Sequence, residues 1–402
     1  MINLMTFGKL LLDSHNNINE RYDTMKKRSL VIGLLLACSL AMTACGGNDD
    51  QQASSSNNNT EAAKSEIIVD ANTEVSIQEP IDETTIPEGM VISDLTGEFI
   101  DEAIANQRPI AVMVDNEKTA LPHYGLTKAD IIYEMVNSEA NDRVTRLMVM
   151  VKDWGAIEQL GNVRSARATN CMLAMEWNAI LCHDGGPFYI NDYTVLPSLD
   201  NLSGGFSRIP NGKAYEFTEY ISKGEIAKRL DANNMETEYN NHYEGTHFTF
   251  ANDIDLAGDV AATLIDLPFP HNASELEYNP EDGLYYYSEY GAPHLDPGND
   301  NAQLCFKNVI VQKADMFTHS VTEADGKVNY DQNGYMYYQL ENESGKGYYI
   351  VNGEMTEITW KKGSLTSPTR YFDANGNDLV LNVGKTYIAI VPSDAWKEVV
   401  IK

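Results

Sequence analysis

The sequence predicts an α+β body: a mixed-sheet α/β region over 94–267, followed by a mostly antiparallel β region over 268–402. Three observations carry this expectation. In the first region, apolar runs of strand length alternate with helical patterns. From Pro268 onward the texture changes to period-2 runs rich in Tyr, Val and Ile. Asn352-Gly353 and Asn375-Gly376 then supply hairpin turns between such runs.

Ile110-Ala111-Val112-Met113-Val114 is continuously apolar, the pattern of a strand covered on both faces, and it ends in Asp115-Asn116. Ile131–Val136 and Val144–Lys152 read as two further strands with a turn over 137–142. Ser165–Asn178 reads as a helix, with Ser165 as N-cap and Cys171, Met172, Met175 and Trp177 on its apolar side. Ala179–His183 is a strand closed by Asp184-Gly185-Gly186-Pro187, and Glu219–Asn233 reads as a second, more polar helix. In the second region strands are expected at Leu284–Tyr287, Leu304–Val311, Tyr335–Leu340, Tyr348–Val351, Ile358–Trp360, Leu379–Leu381 and Tyr387–Val391. That region is expected to be self-contained.

Ahead of the body, Met25-Lys26-Lys27-Arg28 is a basic segment, Ser29–Ala41 is apolar, and Ala44-Cys45 follows. This is the layout of a signal peptide over 25–44, and Cys45 after a small residue reads as a diacylated lipoprotein cysteine. Cys38 follows a similar tetrad, but more apolar sequence comes after it, whereas Cys45 is followed at once by polar residues. The competing reading, a membrane span, needs ~20 apolar residues, more than this run supplies. Residues 1–24 are polar and suit no export signal, so translation is expected to start at Met25. Residues 45–93, rich in Asn, Ser, Gln, Glu and Thr, read as a disordered tether. The chain is therefore placed at the cell membrane, lipid-anchored on the extracytoplasmic face.

The formal charge of -30 argues against nucleic acid as a partner. An anionic ligand must be held by a local cluster of Arg. Asn162-Val163-Arg164-Ser165-Ala166-Arg167 is such a cluster, with two arginines three apart at an expected helix start, where free N–H groups also favour an anion. Asp115-Asn116 and His183-Asp184-Gly185-Gly186 fall at the carboxyl ends of apolar strands, where ligands of α/β sheets bind. With Arg146 these residues form the candidate anion or ligand site; the alternative is that the arginines are structural ion-pair partners of Asp130, Glu134 or Asp184. Cys182 and His183 are neighbours on a strand and point to opposite faces, so they make no dyad. His123, His242, His247, His271, His294 and His319 show no zinc-ligand spacing, so neither a metal nor another cofactor is expected. Cys171, Cys182 and Cys305 sit in apolar surroundings and read as buried free thiols, with a Cys171–Cys182 disulfide as the alternative.

Several of these segments together resemble a known family. Arg108–Asn116, Gly125–Glu134, Val163–Arg167 and His183–Gly186 occur in the expected order, and so do Gly345–Gly347, Trp360–Lys362, Phe372–Gly376 and Gly384–Ile388. They look like the YerB-like lipoproteins of Gram-positive bacteria, which have N- and C-terminal domains of unknown function. The family commonly carries a small polar residue where this chain has Pro187. The resemblance implies a lipoprotein and a fold, and supplies no reaction. The chain is accordingly read as a non-catalytic envelope protein that binds a cell-wall ligand or a membrane-protein partner. The alternative is an enzyme acting on a phosphate-bearing, lipid-linked envelope substrate through an Arg-lined cleft.

Overall fold

The computed structural model describes residues 75–76, 81, 85–256, 260–323 and 325–402. The expected extension at 1–24, signal peptide at 25–44, Cys45 and most of the tether lie outside them. Within the expected tether, Val75–Ser76 pairs with Asp255–Leu256, and Met90–Ile92 pairs with Phe99–Asp101, so ordered backbone begins before residue 94.

One ten-stranded mixed sheet organises the body. Its strands are β1 (Ile110–Asp115), β2 (Ile131–Val136), β3 (Thr145–Val151), β4 (Ile180–His183), β5 (Asn201–Ser203), β6 (Asn308–Ala314), β7 (Glu343–Val351), β8 (Glu354–Lys362), β9 (Arg370–Phe372) and β10 (Thr386–Pro392). Their order is β5-β4-β1-β3-β2-β10-β6-β7-β8-β9. Every residue of β1, β2, β3 and β10 is buried, as central strands covered on both faces require. β8 alternates buried and exposed positions instead, which marks a sheet wetted on one face.

The sheet crosses the boundary expected at 267/268. β10 runs parallel to β2 on one side and to β6 on the other. The second region therefore contributes five strands to the sheet that the first region begins. A smaller antiparallel sheet, built on Leu264–Asp266, Glu275–Asn279 and Leu284–Glu289, packs against it through Tyr287 and Phe306, whose rings meet Tyr387 at 5.6 and 5.3 Å.

The fold is sheet-rich, and the expected alternation of strands and helices is corrected on two counts. Among the described residues only two α-helices exceed four residues, α1 (Ala168–Glu176) and α2 (Glu225–Ala232). α1 starts three residues later than expected: Arg167 occupies the N-cap in an extended conformation, and Ser165 donates its hydroxyl to the Asp184 carbonyl at 2.8 Å instead of capping. The segment read as one helix over 219–233 splits at Gly224, whose φ of 70° interrupts it. Glu219–Ser222 before it is a strand, pairing with Ser207–Arg208 and Gln159–Gly161. The Asn352-Gly353 hairpin is as expected: φ is 53° and 82°, the positive pair a two-residue turn demands, and Val351 opposes Glu354. No described helix is long and apolar enough to cross a membrane. Cys171 and Cys182 are buried free thiols, each pushed up to about 12 by burial, and Cys305 is half-buried.

Candidate functional site

The segment 162–167 is extended and stitched to its neighbours by backbone. Asp115 N–H donates to the Asn162 carbonyl, Arg164 N–H to Met113, and Ala166 N–H to Gly185. Asp184 N–H returns to the Arg164 carbonyl at 3.0 Å. These bonds draw the ends of β1 and β4 together and bring Asp115, Arg146, Arg164, Ser165, Arg167 and Asp184 to one locality. Convergence comes from strand pairing, not from the helix start invoked by the sequence.

Three guanidinium groups surround one buried carboxylate. Arg164 Nε lies 2.6 Å from Asp115 Oδ2, and its Nη2 lies 3.0 Å from Glu216. Arg146 stands directly opposite Asp115 in the β1–β3 ladder and donates from Nη1 to the Ser165 carbonyl at 2.7 Å. Arg167 donates to the Ala166 carbonyl and stacks its guanidinium over Tyr335 at 4.5 Å. Nε of Arg146 and Nε of Arg167 are buried and have no hydrogen-bond partner. Burial lowers the pKa of both, and each is further lowered by its arginine neighbours: Arg167 is pushed down to about 9, first by burial and then by Arg146. A guanidinium stays protonated in proteins, so each still carries its charge. The cluster therefore holds three positive charges, with Asp115 and the half-exposed Glu216 opposing them.

The remaining expected residues divide. His183 is buried; its Nδ1 lies 2.7 Å from the Gly185 carbonyl and its Nε2 3.3 Å from Asn201, so it fixes the loop rather than facing a ligand. Gly185, with φ at 72°, and Gly186 form the exposed rim, and a Cβ on Gly186 would meet Ile190 at 2.4 Å. Asn116 turns the other way. Its amide donates to Thr145 and Glu134, and its carbonyl accepts from Asn272 and Tyr290. It belongs to a buried network around Glu134, which also receives hydroxyls from Ser274, Tyr287 and Tyr387. The expected ion-pair partners of the arginines were Asp130, Glu134 and Asp184; the observed ones are Asp115 and Glu216.

Sequence reasoning missed the carboxyl pair at the rim. Arg208 reaches both Glu219 (2.6 Å) and Asp184 (3.2 Å), and Tyr215 stacks on its guanidinium at 4.1 Å. Burial, with the neighbouring Asp184 carboxyl next, raises Glu219 to about 7. The hydrogen bond from Glu219 holds Asp184 below the usual carboxylate range. Glu219 was hidden inside the segment read as helix, where nothing in its local sequence marks a partner 35 residues upstream.

Two family models match the chain. The N-terminal domain of the "Protein of unknown function (DUF3048)" covers residues 95–236, and the C-terminal domain of the same family covers 265–388. "Putative lipoprotein YerB" of Bacillus subtilis (strain 168) is 25% identical over 312 residues, spanning 74% of this chain and 85% of the relative. The crystal structure of the YerB protein from Bacillus subtilis aligns with a TM-score of 0.63 at 23% identity, over 78% of this chain and 99% of that one. That likeness establishes the fold.

Proposed function

The chain belongs to the DUF3048 family, with both of its domains present, and from that premise we propose that it is a membrane-anchored envelope lipoprotein that binds an anionic ligand at Arg146, Arg164 and Arg167. The anchor rests on Cys45 and on the lipoprotein relative. The observation that carries the binding role is the arginine cluster: three guanidiniums converge, and two of them keep a buried Nε donor without a partner. In a chain of charge -30, an anion there would use donors that are otherwise idle. A phosphate-bearing wall component is the ligand class that fits.

Two measurements test this. Cys45→Ala should move the protein from membrane to medium, and equal membrane retention would mean a true span. Calorimetric titration with inorganic phosphate and a hexose 1-phosphate should show binding that weakens with salt. Arg167→Ala should weaken it roughly tenfold or more, from a charge-assisted contact of ~1.5–3 kcal/mol. Background binding in both proteins, with both folded, rejects the ligand site.

A second reading, an enzyme acting on a phosphate-bearing envelope substrate, is favoured by the Asp184–Glu219 pair. Two carboxyls with pKa values driven apart are what acid–base catalysis employs. Turnover of such a substrate that survives Glu219→Gln unchanged would remove it.

A further inference from the structure

Away from the arginine cluster, the fold gathers His123, Glu289 and His294, which no sequence spacing links. Glu289 closes the strand Leu284–Glu289 and opposes Ala292 across the Tyr290-Gly291 turn. His294 lies on the returning arm, its N–H donating to the Tyr287 carbonyl at 3.2 Å. His123 comes from the other family domain, on the segment after β1, where Tyr124 exchanges backbone hydrogen bonds with Gly161. One nitrogen or oxygen donor from each of the three residues lies within 4.8 Å of the others. The imidazole rings are 5.1 Å apart between centroids, tilted by 42°.

All three side chains are buried: His123 is 0% exposed, Glu289 2% and His294 3%. Glu289 Oε1 lies 2.7 Å from His294 Nδ1, and the tautomer of the ring decides which of its nitrogens keeps a lone pair. His294 Nε2 has no hydrogen-bond partner, nor has Glu289 Oε2, nor has either ring nitrogen of His123. The Asp115 backbone stands beside the His123 ring without forming a bond of proper geometry. Buried polar atoms are almost always paired, so four orphans on three clustered side chains need a common partner. Two imidazoles and a carboxylate form a donor set used by divalent first-row metals, zinc among them. The dication would also neutralise the buried carboxylate.

We propose that His123, Glu289 and His294 form a buried zinc-class metal site that joins the two domains of the family. The ion would clip the segment after β1 to the hairpin at 284–294. Through His123, which stands beside the Asp115 backbone, it would brace the end of β1 that carries the arginine cluster.

The test uses the full chain, without a histidine tag, stripped with chelator and dialysed. Zinc titration should saturate at one ion per chain and raise the melting temperature, and millimolar magnesium should not displace it. Magnesium does displace cations merely condensed on an acidic surface. Cobalt(II) in place of zinc should give the visible absorption of a low-coordinate nitrogen–oxygen site. His123→Gln and His294→Gln should each lose at least about 100-fold in zinc affinity, more than a supporting residue costs. His271→Gln, which removes a half-buried imidazole paired only with Glu117, should retain wild-type affinity. If a variant does not fold, the wild-type stoichiometry and cobalt spectrum decide alone. A folded wild-type chain that takes up no magnesium-resistant zinc overturns the site, and so does wild-type affinity in folded His123→Gln.

Discussion

At the scale of single residues, the carboxyl pair Asp184–Glu219 gives the protein a pH-dependent stability. Glu219 is raised in the folded state to about 7 from an ordinary carboxyl value. Its neutral form is therefore favoured by folding, and its contribution is complete in acid and lost as pH rises through about 7. We expect the wild-type melting temperature to fall between about pH 5 and pH 8 by more than that of Glu219→Gln, which carries no such proton. Parallel curves for the two proteins would refute the raised pKa of Glu219. Arg164 is the second residue to probe. Its removal deprives buried Asp115 of its 2.6 Å partner while Arg146 remains opposite, so Arg164→Ala should destabilise by about 1–3 kcal/mol in denaturant unfolding. The types of these residues were legible in sequence: a knot of arginine inside a very acidic chain stands out. Their partners were not. Glu216, Glu219, Arg208 and Tyr335 arrive from distant segments, and His123 meets His294 only through tertiary structure.

At the scale of elements, hydrophobic periodicity did best where burial is two-sided. β1 appears as a continuous apolar run, and β2, β3 and β10 as mainly apolar ones, because central strands bury both faces. It failed at 219–233, where Ile221, Ile226 and Leu230 mimic a helical stripe across Gly224, and at Ser165, whose hydroxyl is taken by the next loop before it can cap α1. Turn chemistry was the most reliable local signal. Gly353 has a φ of 82°, and a Cβ there would press on the Tyr278 ring at 2.9 Å. Gly353→Ala should therefore destabilise by about 1–2 kcal/mol, from the left-handed conformation alone, with the ring contact adding to it. An unchanged denaturation midpoint would mean that the β7–β8 turn is not stressed.

At the scale of the whole molecule, a two-part family description meets a body whose largest sheet draws strands from both parts. The two family domains match residues 95–236 and 265–388. Composition reveals a change of texture, but it cannot show that β10 returns to pair with β2. The described residues form one compact unit. We expect a single cooperative unfolding transition, with calorimetric and van't Hoff enthalpies equal. Fragments 85–256 and 260–402, made separately, should each lack fixed tertiary structure and regain it on mixing. A folded 260–402 fragment, by near-ultraviolet circular dichroism, would show that the second part is self-sufficient after all.

Because β10 slots between two strands already parallel to it, the order in which the chain emerges governs when the body can close. Until residues 386–392 are made, β2 presents an open edge and the strands from either side have nothing between them. A polypeptide on the proposed export route must be threaded slack through a narrow pore, and a late-arriving keystone keeps it slack until nearly all of it has passed. A chain stopped at residue 385 should accordingly be cut by protease inside β1, β2 or β3, whose every residue the finished protein buries.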